Sequence, residues 1–154
     1  MAVHQATVSW KRGNSESFLD QKYSRVHEWA FDGGAVVRAS ASPHVVPLPH
    51  SDPAAVDPEE AFVASLSSCH MLFFLSFAAR AGYLVEEYTD RAEGVLGRND
   101  AGKPAMTSVT LRPTVRFGGD REPPHEELVE LHHRSHEACF LASSVNAVIG
   151  VEVG

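Results

Sequence analysis

The stretch VDPEEAFVASLSSCHMLFFLSFAARAG, from Val56 to Gly82, constrains this chain more than any other, because no charged residue occurs between Ala61 and Ala79. Asp57 suits an N-cap, Pro58 suits the first helical position, and Glu60 completes an Asp-x-x-Glu capping pattern. Ala81-Gly82 supplies a stop. A helix over this run is roughly 37 Å long at about 1.5 Å per residue. It meets the length criterion for a membrane span. Against a span stand Ser65, Ser67, Ser68, His70 and Ser76, the sharply capped start and the amphipathic stretches on both sides. The expectation is therefore a core helix with no membrane partner. A helix apolar nearly all round is buried on every side, and one small domain hardly encloses one this long. A second subunit is expected to cover part of it.

The flanking segments alternate with a period of two. HQATVSW reads as a strand, KYSRVHEWAF as a second, and AVVRASAS as a third that returns through the Asp32-Gly33-Gly34 turn. The proline-rich segment of residues 43–57 has no usable period and reads as a loop or lid. Beyond the helix, VEEYTDRAEGVLG and AMTSVTLRPTVRFGG read as two strands joined by NDAGK. In the second of these, Thr107, Val109, Leu111, Pro113, Val115 and Phe117 share a face, and Pro113 marks an edge or a bulge. PPHEELVELHHRSHEACFLASSV reads as a helix with a proline-led, acidic start, and NAVIGVEV as a last strand. The order is βββαββαβ, about six strands. That is an α+β fold with a mostly antiparallel sheet packed on a long central helix.

At 154 residues the chain is long enough for one domain, residues 1–154, and short for two. A net charge of −7 with no basic run argues against nucleic acid or an anionic membrane as partner. The start MAVHQATVSWKRGNSES lacks the sections of a signal peptide, so a cytoplasmic protein is expected. The two cysteines, Cys69 and Cys139, form neither a disulfide framework nor a CxxC motif. Lone cysteines are commonly buried small hydrophobes, and apolar burial alone makes a thiol inert unless a positive charge lies near. His70 follows Cys69, but adjacent helical residues do not face each other, so His70 reads as a packed or hydrogen-bonded histidine.

The segment DPEEAFVASLSSCHM resembles that of the OsmC/Ohr family of osmotically induced and organic-hydroperoxide-resistance proteins. There an Asn-Pro-Glu-Glu segment precedes a helix cysteine, ten residues beyond the first Glu, as Glu59 precedes Cys69 here. HEACFLASSV is similar to the family's second-cysteine segment and holds Cys139. Asp57 replaces the more frequent Asn. The resemblance implies a thiol-dependent peroxidase for organic hydroperoxides. Cys69 would be oxidised to a sulfenic acid, and Cys139 would resolve it as a disulfide. An external dithiol, typically a lipoylated protein or a small dithiol, would then reduce that disulfide. No metal or organic cofactor is implied. The family's thiolate-stabilising arginine corresponds to Arg38 on the third strand, or alternatively to Arg25, and its arginine-holding glutamate to Glu59. The insertion between Arg38 and Glu59 departs from the family's usual short connection.

Ten positions on a straight helix rise about 15 Å, so Glu59 and Cys69 of one chain cannot meet through one arginine. A homodimer follows as an expectation, with Glu59, and with it the arginine, serving the partner's Cys69. His132 and His136, at i and i+4, suit metal chelation, but no HExxH accompanies them and no metal site is expected. The competing reading is a non-enzymatic OsmC-like protein that binds a small molecule or senses redox state, its thiols otherwise idle.

Overall fold

A computed structural model describes residues 1–154, which divide into two compact units, Met1–Ala61 and Phe62–Gly154. In the first unit β1 (Ala6–Ser9), β2 (His27–Phe31) and β3 (Val36–Ala39) form an antiparallel sheet in that order. The turn falls at Asp32-Gly33-Gly34, where Gly34 at φ 92° takes the left-handed conformation that glycine reaches without strain. The second strand begins at His27 rather than Lys22. Before it, the Arg25 N–H goes to the carbonyl of His50 and the Val26 N–H to the Ser24 hydroxyl, so neither is free for the ladder. Residues 40–57 form the expected loop, apart from one bridge between Ala39 and Val56. Its turns are held by serines: Ser40 accepts from the Asp52 N–H and Ser51 donates to the Val46 carbonyl.

Helix α1 (Pro58–Arg80) starts and stops where its local signals place it. Asp57 Oδ1 accepts the Glu60 N–H at 2.8 Å, and Glu60 Oε2 accepts the Asp57 N–H at 3.2 Å. The pair is a reciprocal capping box satisfying two otherwise orphaned donors. At the other end Gly82 sits at φ 83°, with Tyr83 N–H bonded to the Ala78 carbonyl and Gly82 N–H to that of Ala79. This is a Schellman stop, and only a residue without Cβ takes it easily.

In the second unit each of the two long strands expected after α1 is divided. β4 (Leu84–Asp90) and β5 (Glu93–Arg98) share the first, β6 (Pro104–Leu111) and β7 (Pro113–Gly118) the second. β4 pairs with β7 alone, while β5, β6 and the last strand β8 (Val148–Val151) make a separate sheet in which β8 runs parallel to β6. The division has a local cause. Pro113 has no N–H to give, and the Arg112 N–H is taken at 2.6 Å by Asp90 Oδ1 instead of a ladder carbonyl. The hairpin thus changes sheet at Asp90 and Arg112. Its inward face is the one the alternation predicts, with Val109, Leu111 and Pro113 buried and Thr114 and Arg116 exposed.

Helix α2 (His125–Ala138) ends one residue before Cys139, whereas the sequence suggests helix to Val145. The stop lies at Cys139, which turns out of the helix at ψ 114° with its N–H on the His136 carbonyl. Ser143 and Ser144 hydroxyls bond the carbonyls of Cys139 and Phe140, and a 3₁₀ turn (Ala142–Ser144) replaces the expected helix.

Two apolar clusters result. Leu66 on α1 meets Val109 and Leu111, and Phe74 and Ala78 farther along α1 meet Tyr83 and Leu131. Full burial of a ring such as Phe74 contributes on the order of 2 kcal/mol. α1 comes close to the sheet at Gly94, where an added Cβ would lie 2.5 Å from Val63 Cγ2 and 2.7 Å from Met106 Cε. Gly94→Ala is therefore expected to lower stability by about 1–3 kcal/mol in urea unfolding. An unchanged unfolding midpoint would show that the helix is free to lift.

Candidate functional site

Cys69 lies near the middle of α1 and Cys139 at the end of α2, and the structure brings the two free thiols side by side. Cys69 is half-buried, while Cys139 is 1% exposed. Burial pushes the Cys139 thiol up from its ordinary pKa, the neighbouring Cys69 thiol adds to that, and the Ala142 N–H, 3.4 Å from the sulfur, opposes it. Cys139 therefore rests as a protonated thiol at neutral pH. The break that ends α2 at Cys139 is what lets its sulfur accept a backbone N–H. An apolar corner adjoins the pair: Phe73, one turn after Cys69, meets Phe140, next to Cys139, edge to face at 5.1 Å.

One helical stripe inward, Leu66, His70, Phe74 and Ala78 are the buried residues of α1. His70 Nε2 lies 3.0 Å from His132 Nδ1 of α2. The ring planes differ by 4° and the centroids are 5.3 Å apart. With the bonded nitrogens between them, the rings lie end to end in nearly one plane, not face to face, which suits a linear hydrogen bond. Phe74 covers the face of His132 at 4.3 Å. Burial depresses both histidines to about 4. For His70, the His136 charge also disfavours protonation and Asp90 favours it. His70 Nδ1, His132 Nε2 and the hydroxyl of Tyr88 are buried without a partner, and burial pushes the Tyr88 hydroxyl well up. The sequence suggests a hydrogen-bonded His70. It does not reveal the partner, 62 positions away. His132 faces His70 instead of pairing with His136, and no group of three or more His, Cys, Asp or Glu side chains is arranged to hold a metal ion.

The other residues singled out from the sequence lie in residues 1–61. Glu59 stands in the first turn of α1 with its Oε2 buried and without a partner. It holds neither arginine of its own chain. Arg38 is exposed and bonded to Asp52 Oδ2 at 2.7 Å, which holds the Asp52 carboxyl below its usual range. Arg25 lies over the Tyr23 ring at 3.6 Å and donates to the carbonyls of Gln21 and Tyr23. Asp52, a loop residue with no motif around it, carries no sequence signal for this role.

An α+β chain with two free thiols side by side where its two helices meet is the class that fold and site define. The family model for OsmC-like protein matches residues 50–154, and the chain belongs to that family. It is similar over its full length to an OsmC-like protein of unknown function from Vibrio cholerae, with 56% identity, a TM-score of 0.99 and complete coverage of both chains. The fold also matches an organic hydroperoxide resistance protein from Legionella pneumophila at 16% identity and TM-score 0.70, covering 100% of this chain and 99% of that one. It matches the organic hydroperoxide resistance protein OhrB of Bacillus subtilis at 17% identity and TM-score 0.70, covering 99% and 100%. None of the curated proteins matches the sequence.

The buried histidines give stability a pH dependence of definite sign. An unfolded histidine protonates near 6.5, whereas these two remain neutral down to about 4. Between those values the unfolded chain binds protons that the folded chain refuses, so stability falls as pH drops and levels off below about 4. Chemical denaturation should show a loss on the order of 2–4 kcal/mol between about pH 7 and pH 5, and His132→Phe should remove roughly half of it. Equal losses in the two proteins would count against this account.

Proposed function

We propose that this protein is a thiol-dependent peroxidase that reduces organic hydroperoxides at the expense of an external dithiol. The observation that carries the reading is the adjacency of Cys69 and Cys139, one half-buried and the other buried with a raised pKa. Membership of the OsmC-like family and the hydroperoxide-resistance relatives sharing the fold support it.

In this reading the Cys69 thiolate attacks the terminal oxygen of R–O–O–H. An S–O bond forms as the O–O bond breaks, sulfur loses two electrons, and the alkoxide takes a proton to leave as the alcohol. The sulfur of Cys139 then attacks the Cys69 sulfenic acid. The S–S bond forms, and the displaced hydroxide leaves as water with the Cys139 proton. A small dithiol or a lipoyl group reduces the disulfide by exchange. The sum is hydroperoxide plus dithiol giving alcohol, water and an oxidised dithiol. The apolar corner of Phe73 and Phe140 favours alkyl or aryl peroxides over hydrogen peroxide, which gains little from apolar surface.

The reading includes a thiolate-stabilising arginine, Arg38 with Arg25 as alternative, held by Glu59. It includes a single functional domain over residues 1–154, an intertwined homodimer and a reducing, cytoplasmic setting. Three observations support the dimer. The buried Glu59 Oε2 has no partner in its own chain. Residues 1–61 hold no hydrophobic core cluster, yet Val8, Phe31 and Val36 are exposed on their sheet. Leu72, at the middle of the apolar helix, is 61% exposed.

Cumene hydroperoxide with a dithiol tests the activity. Cys69→Ser should abolish turnover, and Cys139→Ser should consume about one equivalent and stop. Of Arg38→Ala and Arg25→Ala, the one that removes the stabilising charge should lower kcat/KM about tenfold or more and raise the pH at which Cys69 is alkylated. No turnover above buffer in the native protein would leave the binding or sensing role. Sedimentation should give a mass near twice the 16.7 kDa of one chain. A fully active monomer would refute the dimer.

A further inference from the structure

We propose that His70 and His132 are positioning residues for the thiol pair, their mutual hydrogen bond setting the register of α2 against α1 at which Cys139 lies beside Cys69. The proposal rests on the reading above only in taking the Cys69–Cys139 disulfide as a functional state.

The placement of the four residues is the first argument. His70 is the residue after Cys69 on α1. His132 lies on α2 and Cys139 is the residue that caps its end, seven positions on, about two turns at 3.6 residues per turn, and so on the same side of the helix. The thiol contact and the imidazole contact therefore both fall on the seam where the two helices cross, neighbouring positions on α1 meeting positions about two turns apart at the end of α2. His70–His132 is the one hydrogen bond that joins the side chains of the two helices.

Chemistry is the second. Apart from Arg134, whose guanidinium lies over the Phe77 ring at 4.6 Å, the rest of the seam is apolar: Phe74 on His132, Phe73 on Phe140, Leu131 against Phe74. Such contacts tolerate small slides, because dispersion is non-directional. A buried imidazole pair does not. With both rings neutral, one nitrogen of the bonded pair carries the proton and the other accepts it, and the end-to-end geometry leaves no other partner for either. A slide of α2 along α1 would strand two more polar atoms in a dry interior, where each unpaired one costs about 1–3 kcal/mol. The groups facing the pair are His136 from α2 and Asp90 and Tyr88 from β4. Asp90 is already bonded to the Ser67 hydroxyl and the Arg112 N–H. Tyr88 makes no hydrogen bond to either ring, so no other hydrogen bond supplies the lost register.

The test uses the full-length protein and two readouts. One is the equilibrium of the Cys69–Cys139 disulfide with a dithiothreitol redox buffer. The other is the fate of Cys69 after one equivalent of cumene hydroperoxide, with dimedone trapping the sulfenic acid. In His132→Phe, which keeps an aromatic ring against Phe74, Cys69 oxidation should stay within about twofold of native. Disulfide formation should slow about tenfold or more, trapped sulfenic acid should rise, and the disulfide equilibrium should shift about tenfold toward the dithiol. His132→Asn, whose side-chain amide stands where the Nδ1 of His132 does, can still bond His70 Nε2 and should recover most of the loss. Leu131→Val, which loosens the same seam without touching the bond, should leave the disulfide equilibrium near native. If His132→Phe does not fold, His132→Leu, which has no hydrogen-bonding atom, takes its place. Native disulfide formation in the variant that folds, or an equal loss in Leu131→Val, overturns the proposal. If native Cys69 is not oxidised by the peroxide, the peroxidase reading fails, while the dithiothreitol equilibrium still decides the positioning role.

Discussion

An apolar helix without a charge between Ala61 and Ala79 has to be packed along its length, and residues 62–154 cover one stripe of it, Leu66, His70, Phe74 and Ala78, while Leu72 stays exposed. Leu66 gives one cluster with Val109 and Leu111, and Phe74 and Ala78 give the other with Tyr83 and Leu131. The two clusters face different sheets, and the hairpin that supplies both changes sheet at Asp90 and Arg112. Asp90 serves that bend twice, with one oxygen on the Arg112 N–H and the other on the Ser67 hydroxyl of α1. The bend and the helix are thus held by the same carboxylate. Gly94 allows the strand beyond the bend to reach Val63.

The same packing decides the chemical character of the thiols. Cys139 is buried where α2 stops, and its sulfur is partly compensated by the Ala142 N–H. Cys69 stays half-buried at a rim formed by Phe73 and Phe140. An asymmetric pair of this kind divides labour naturally. In the proposed peroxidase the accessible thiol would meet the oxidant, and the buried, protonated one would wait for an electrophilic sulfur at its side. A few ångströms inward, His70 and His132 remain neutral because burial opposes their charging, and neutrality is what keeps their bond intact.

Local signals in the chain were read well where the chemistry is local. Asp57, Glu60 and Gly82 delimit α1 because capping groups act within a turn of themselves, and the alternation through Val109, Leu111 and Pro113 names the inward face. Periodicity misleads where another group captures a backbone N–H. The Asp90 carboxylate breaks one long hairpin into two pairs, and the carbonyl of His50 delays the second strand. Each involves a competition for a backbone group that periodicity does not register.

The sequence by itself determined the capped apolar helix, the α+β order and, through the Glu59-to-Cys69 and Cys139 segments, the family. These depend on neighbours in the chain and on spacing, both of which are written in the residues. Only the tertiary structure decided that Cys69 and Cys139 are adjacent, that Arg38 binds Asp52, and that His70 meets His132. Those pairings join residues far apart in the chain, and their partners are chosen by how buried surfaces fit, which no local pattern specifies.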